Sequence, residues 1–191
     1  MRKALSEREQ AAIRAKLIAS CRSCWERYGY KKTGVAELAA MSGISTGAFY
    51  SFFPSKEMLF IETANAFTAK LYALMSENCP AAPTRVDFAE GFKRCADEMF
   101  SNRWIFSLRE DAETFLRKLP EEFLEQDFQQ DLLDITAVVS LYRLTPKAPM
   151  EEIVAVLHTL LMSIYLTDII GPPHRQALWL LIDSVTATIF E

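Results

Sequence analysis

TGVAELAAMSGISTGAFYSFFPSKEML, residues 33–59, is the stretch that decides the fold. It reads as two short helices around a tight turn. Thr33 or Gly34 caps the first helix, which runs to Met41, and Ser42-Gly43-Ile44 makes the turn. Gly43 suits a backbone that side chains resist. Ser45 or Thr46 caps the second helix, which ends near Phe53 because Pro54 cannot continue it. Val35, Leu38, Ala39, Ile44, Phe49 and Phe53 fall where the pair must pack on a third helix. Thr46, Gly47, Ala48, Tyr50 and Ser51 are left outward, and short or polar side chains suit a face pressed into a major groove. This is the helix-turn-helix pattern.

Working outward, helical period continues in both directions and no alternating strand is evident. Ser6–Tyr28 carries apolar residues at three- and four-residue steps, and Gly29 follows as a left-handed stop. Ser55 caps a long helix over 56–78. Pro80 and Pro83 break the chain, and Thr84-x-x-Asp87 reads as a capping box with Asp for the usual Glu or Gln. Further helices are expected over 84–100, 103–118, 120–144, 150–170 and 174–191. The fold class is therefore all-α, with about nine helices.

The net charge of −4 conceals an asymmetry. Residues 1–56 hold ten Lys or Arg against four Asp or Glu, while residues 57–191 hold eleven against twenty-one. A basic N-terminal segment on an acidic body suits a local nucleic-acid surface. No apolar run follows the basic start, so the expected place is the cytoplasm, with Cys21, Cys24, Cys79 and Cys95 as reduced thiols. Ile153–Ile170 approaches a membrane-spanning length but carries His158, Thr159, Ser163, Thr167 and Asp168. It reads as a buried helix, and no membrane contact is expected.

The string G-I-S-x-G-x-F-Y-x-x-F-x-S-K-E-x-L, together with Thr33, Val35, Leu38 and Ala39, resembles the tetracycline-repressor-like (TetR/AcrR) family of bacterial regulators. The direct resemblance covers roughly residues 9–60. It implies a DNA-binding unit over 1–55 and a ligand-binding, dimerising body over 56–191. By position, Thr33 would contact a phosphate, Ser45 would cap, and Thr46, Gly47 and Ala48 would face bases. Tyr50 and Lys56 would meet phosphates. Two positions depart from the family. Phe52 replaces a common His or Tyr donor, and Thr46 replaces a common Lys, which shifts weight to Lys31, Lys32 and Lys56.

The resemblance also implies double-stranded DNA with a palindromic operator as partner, a homodimer, and a small apolar or aromatic inducer. Aromatic residues crowd the middle of the chain, and the expected pocket residues are Phe67, Phe100, Trp104, Phe115, Tyr142, His158 and Tyr165. Segments 150–170 and 174–190 are apolar on nearly all sides and must be covered on all sides. The expected dimer residues are Val156, Leu160, Ser163, Trp179, Ile182, Thr186 and Ile189.

No Ser/His/Asp set, paired carboxylates, phosphate loop or metal-ligand cluster stands out, so no catalytic residue, metal or cofactor is expected. Cys21 and Cys24 form a C-x-x-C one helical turn apart without further ligands, which reads as packing. The competing readings are a DNA-binding regulator under adaptor or redox control, and an enzyme on a helical scaffold.

Overall fold

The computed structural model describes residues 5–102, 104, 115, 117–119 and 121–191. Among these residues the chain forms nine α-helices and one 3-10 turn. They are α1 (Glu7–Lys32), α2 (Val35–Met41), α3 (Thr46–Phe49), α4 (Lys56–Glu77), α5 (Arg85–Ser101), α6 (Glu121–Leu141), α7 (Met150–Met162), the turn Ser163–Leu166, α8 (Thr167–Ile170) and α9 (His174–Ile189). A single antiparallel bridge pairs Pro146 with Phe190. The helix expected over 103–118 lies mostly outside the described residues.

The caps explain most boundaries. Ser6 and Glu9 close a full capping box on α1, and Thr84 and Asp87 do the same on α5, so Asp serves as well as Glu there. Ser55 Oγ accepts from Met58 N at 3.2 Å and starts α4. Inside α1, Gly29 has φ 74° and breaks the helical path, after which one further turn runs to Lys32. Thr33 Oγ1 donates to the Gly29 carbonyl at 2.8 Å and locks that break.

The described chain divides into two compact units. The first comprises 1–67 with 103–119, and the second 68–102 with 120–191. Helix α4 gives its residues through Phe67 to the first and the rest to the second.

The core of the first unit is aromatic. Trp25 packs on Phe60 and Trp104 at centroid distances of 4.4 and 5.0 Å. Tyr30 meets Phe60 and Phe115 edge-on at 5.1 and 5.3 Å. Leu17, Leu38, Phe49 and Leu59 are fully buried beside them.

In the second unit α5 packs on α9, and α6 on α7. Phe88 is the hub of one cluster, with Tyr142 and Phe190 edge-on at 5.4 and 5.1 Å. Gly91 lets this cluster close, because a Cβ there would come 2.8 Å from Met75 Sδ and 3.1 Å from Tyr142 Oη. Lys147 N donates to Ile189 O at 2.9 Å and Glu191 N to Thr145 O at 3.0 Å, which ties the C-terminus to the loop after α6.

The apolar run 150–170 is not one helix. Ser163 Oγ donates to Leu160 O at 2.6 Å and Thr167 Oγ1 to Ile164 O at 2.5 Å, and the path tightens to 3-10 between them. Buried His174 sits against both hydroxyls, with Nε2 3.2 Å from Ser163 Oγ and Nδ1 3.0 Å from Thr167 Oγ1. Ile153, Val154, Leu157, Leu160 and Ile164 of this run are buried in the protein's own core.

Candidate nucleic-acid interface

The second helix of the motif is short. Strict α-geometry covers only Thr46–Phe49, and Tyr50–Phe52 continue as turns. Ser45 makes the cap, its Oγ accepting from Ala48 N at 3.1 Å. The turn before it needs Gly43, whose φ is 75°, and is pinned by Ile44 N donating to Ala39 O at 3.0 Å. Phe49 is the inward anchor, packed on Phe53 at 6.1 Å. Ser45, Thr46, Gly47, Tyr50 and Ser51 are exposed and Ala48 is half-buried. Tyr50 keeps 55% of its surface exposed, although its ring leans edge-on against Phe49 at 5.4 Å.

Three ties hold this face in place. Arg14 of α1 forms a two-pronged pair with Glu62 of α4. Its Nη1 also donates to the Phe52 carbonyl at 3.3 Å, and its guanidinium lies 4.5 Å over the Phe53 ring. Lys56 Nζ donates to the carbonyls of Tyr30 and Thr33, both at 2.9 Å, and lies 4.0 Å over the Tyr30 ring. The Tyr30 hydroxyl donates to Glu57, whose Oε1 also pairs with Lys118 Nζ at 3.5 Å. Burial works against the Glu57 charge, yet the Tyr30 hydroxyl and Lys118 hold its carboxyl below the ordinary range.

Thr33 and Lys56 are therefore engaged inside the fold. Thr33 is buried with its hydroxyl on Gly29 O, and Lys56 is half-buried on two carbonyls. Among the described residues, the exposed cations of this unit include Arg8, Lys16, Arg22, Arg27, Lys31 and Lys32. Sequence reasoning missed Arg14, Tyr30 and Glu57. Their side chains meet residues 27 to 61 positions away, and no local spacing announces such pairs.

Cys21 and Cys24 are buried on the inner side of α1. Burial pushes the Cys21 thiol up to about 12 and also raises that of Cys24, whose Sγ lies 3.4 Å from Met41 Sδ. Protonated, enclosed thiols are poor nucleophiles.

The expected pocket residues separate into groups. Phe67 and Trp104 meet edge-on at 5.4 Å in the first unit, where Phe115 packs on Tyr30. In the second unit Phe100 packs on His174 and Trp179 at 5.8 and 6.1 Å. Tyr142 is fully buried and donates to Met75 O at 2.9 Å. His158 faces Asp131, and Tyr165 is half-buried. Of the expected dimer residues, Leu160, Ile182, Thr186 and Ile189 are buried within the protomer, while Val156, Ser163 and Trp179 are half-buried. The exposed apolar residues near them are Met162, Leu166, Ile169, Ile170, Leu180 and Leu181.

Residues 17–63 match the family model described as bacterial regulatory proteins, tetR family. The HTH-type transcriptional repressor Rv1474c of Mycobacterium tuberculosis is 35% identical over 72 residues, 38% of this chain and 38% of that protein. The HTH-type transcriptional repressor AcnR of Corynebacterium efficiens is 28% identical over 153 residues, 79% of this chain and 77% of that protein. Among solved structures, RolR in complex with resorcinol superposes with a TM-score of 0.61 at 19% identity, covering 96% of this chain and 90% of that one. At that identity the likeness speaks for the fold.

Proposed function

We propose that this chain is a regulator of the tetR family, a cytoplasmic transcriptional repressor released from a palindromic operator by a small ligand. The observation that carries the reading is the capped, outward-facing segment Ser45–Ser51, held from behind by Arg14 and Lys56. Its exposed surface is polar and uncharged, which suits close approach to base edges without a desolvated charge. Thr46, Gly47 and Ala48 read bases. The Tyr50 hydroxyl meets a phosphate, and the exposed Lys31 and Lys32 supply the sequence-independent attraction. Lys56 acts at the phosphate backbone from the first turn of α4 and also holds the α1–α2 junction, while Thr33, buried with its hydroxyl on the Gly29 carbonyl, bears on the phosphate contact through the position it gives the start of α2.

A palindromic site needs a two-fold dimer. The exposed Met162, Leu166, Ile169 and Ile170, with Leu180 and Leu181 of α9, supply an apolar surface of the kind that such a contact buries. The expected residues Trp179, Val156 and Ser163 flank it, with Leu160, Ile182, Thr186 and Ile189 beneath. The recognition segments of the two protomers would then enter successive major grooves about 34–36 Å apart. Helix α4 begins with Lys56 in the first unit and ends in the second, so it is the element through which a ligand in the body would act. AcnR and Rv1474c are repressors by name, and RolR was solved with an aromatic ligand, which supports both halves of the reading.

The test is sequence-resolved binding of duplexes selected from the host genome. Substitutions at Thr46 should change which sequence is preferred. Lys56→Ala should weaken binding to all sequences and make the salt dependence shallower by about one unit of slope. A changed preference without a changed slope for Lys56→Ala would contradict this docking.

A further inference from the structure

Three polar side chains from three helices of the second unit meet at one point. They are Tyr72 of α4, Asp131 of α6 and His158 of α7. The Tyr72 hydroxyl donates to Asp131 Oδ1 at 3.1 Å, and His158 Nε2 stands 3.2 Å from Oδ2. A carboxylate only accepts, so the imidazole nitrogen facing it carries the proton. In the neutral ring Nδ1 is then left as an acceptor.

This cluster is open on one side. The His158 side chain is 33% exposed and that of Asp131 20%, although Ile153, Val154 and Leu157 on α7 are sealed at 0–1%. Leu161 and Tyr165 continue the same half-exposed flank. Tyr165 lies seven residues beyond His158, roughly 10–12 Å along the helix and its 3-10 extension. Burial pushes its phenol up to about 12, so it stays a protonated donor. The flank therefore has a carboxylate at one end, a phenol at the other and Leu161 between.

We propose that this flank is the effector site, and that it selects a neutral or cationic aromatic molecule bearing a hydroxyl or amine donor over an aromatic carboxylate. The proposal rests on the regulator reading for its consequence, but not for binding itself. The argument is donor–acceptor accounting. Asp131 retains lone pairs beyond those met by Tyr72 and His158, and His158 Nδ1 adds another acceptor. A phenol or aryl amine presents the hydrogen that these acceptors lack. A carboxylate set against Asp131 would place a second negative charge there, and like charges at such range repel strongly when partly desolvated; turned toward the Tyr165 phenol instead, it would leave the acceptors at the Asp131 end unmet. A closed structural clasp would be dry on all sides, as Tyr142 on Met75 is, whereas this carboxylate remains reachable from one side.

The experiment is calorimetry on the full chain without DNA. The probes are 4-phenylphenol, 4-methoxybiphenyl and biphenyl-4-carboxylate, each to its solubility limit. The phenol should bind about tenfold or more tightly than either of the others. Asp131→Asn should bring the three within about threefold. Equal affinities in the unaltered protein, a preference for the carboxylate, no binding of any probe, or a preference untouched by Asp131→Asn would each overturn the site. Operator release is measured separately with the same probes. A phenol that binds as expected and leaves the operator bound would uphold the site and contradict the regulator reading. Release by the carboxylate would do the reverse.

Discussion

His174 shows what a single buried side chain does here. Its two ring nitrogens span Ser163 and Thr167, each of which also holds a helical carbonyl. A neutral imidazole satisfies the set when one nitrogen donates to its hydroxyl and the other hydroxyl turns its single proton from its carbonyl to the accepting nitrogen. Burial disfavours the charged ring and holds its pKa below the ordinary value. The folded protein therefore binds this proton less readily than the unfolded chain does. The stability that follows is fully present above the unfolded pKa of about 6.5 and is lost as pH falls below it. Thermal unfolding should shift to lower temperature between pH 7 and 5, and His174→Gln should flatten that part of the profile. The same substitution should destabilise by about 1–3 kcal/mol at pH 7, since it leaves two half-buried hydroxyls without a fitted partner. The cysteines give a prediction of the opposite kind. With the thiols of Cys21 and Cys24 raised and enclosed, mild oxidant should leave DNA affinity unchanged. Loss of binding that a thiol reverses would revive redox control.

At the scale of elements, what the chain announces locally is what could be read from it. Ser6, Ser45, Ser55 and Thr84 cap helices as their sequence contexts imply, and Gly29 and Gly43 both adopt positive φ. The exposed face Ser45–Ser51 was legible because its pattern is contiguous. Two features were not. The run 150–170 reads as one helix by periodicity, yet hydroxyls at Ser163 and Thr167 compete for its carbonyls and His174, from another helix, rewards the break. The ties behind the recognition segment were also hidden, because Arg14–Glu62 and Tyr30–Glu57 join residues far apart in sequence. Arg14 makes a further expectation. Arg14→Met keeps most of the packing over Phe53 but loses Glu62 and the Phe52 carbonyl. It should lower operator affinity severalfold with a smaller effect on the melting temperature, because the partly exposed pair adds little to stability. If melting temperature fell sharply and affinity followed it in proportion, Arg14 would be a stability residue with no special bearing on the DNA face.

At the scale of the whole molecule, the account joins a DNA-reading unit to a second unit whose C-terminal helices present apolar residues outward. Leu180 is 70% exposed on α9, whereas Ile182, two residues on, is fully buried against its own protomer. Leu180→Glu should therefore yield a folded monomer by sedimentation velocity, while Ile182→Asp should unfold the chain, as a buried unpaired charge does. If Leu180→Glu sedimented as a dimer, α9 would not be the contact. In the proposed switch, a ligand that frees DNA must bind more weakly to the operator complex by the same factor, typically about 5–150-fold. The most direct measurement of the central claim is selection of duplexes from the host's genomic DNA by the unaltered protein. The competitor is the Thr46→Ala/Tyr50→Ala double variant, which removes two exposed side chains and, from the core, only the edge contact of Tyr50 on Phe49. The account predicts that the unaltered protein enriches a small set of two-fold-symmetric sites and that the double variant, equally folded, enriches none of them. Enrichment of no sequence by the unaltered protein, or the same sites by both, would contradict it.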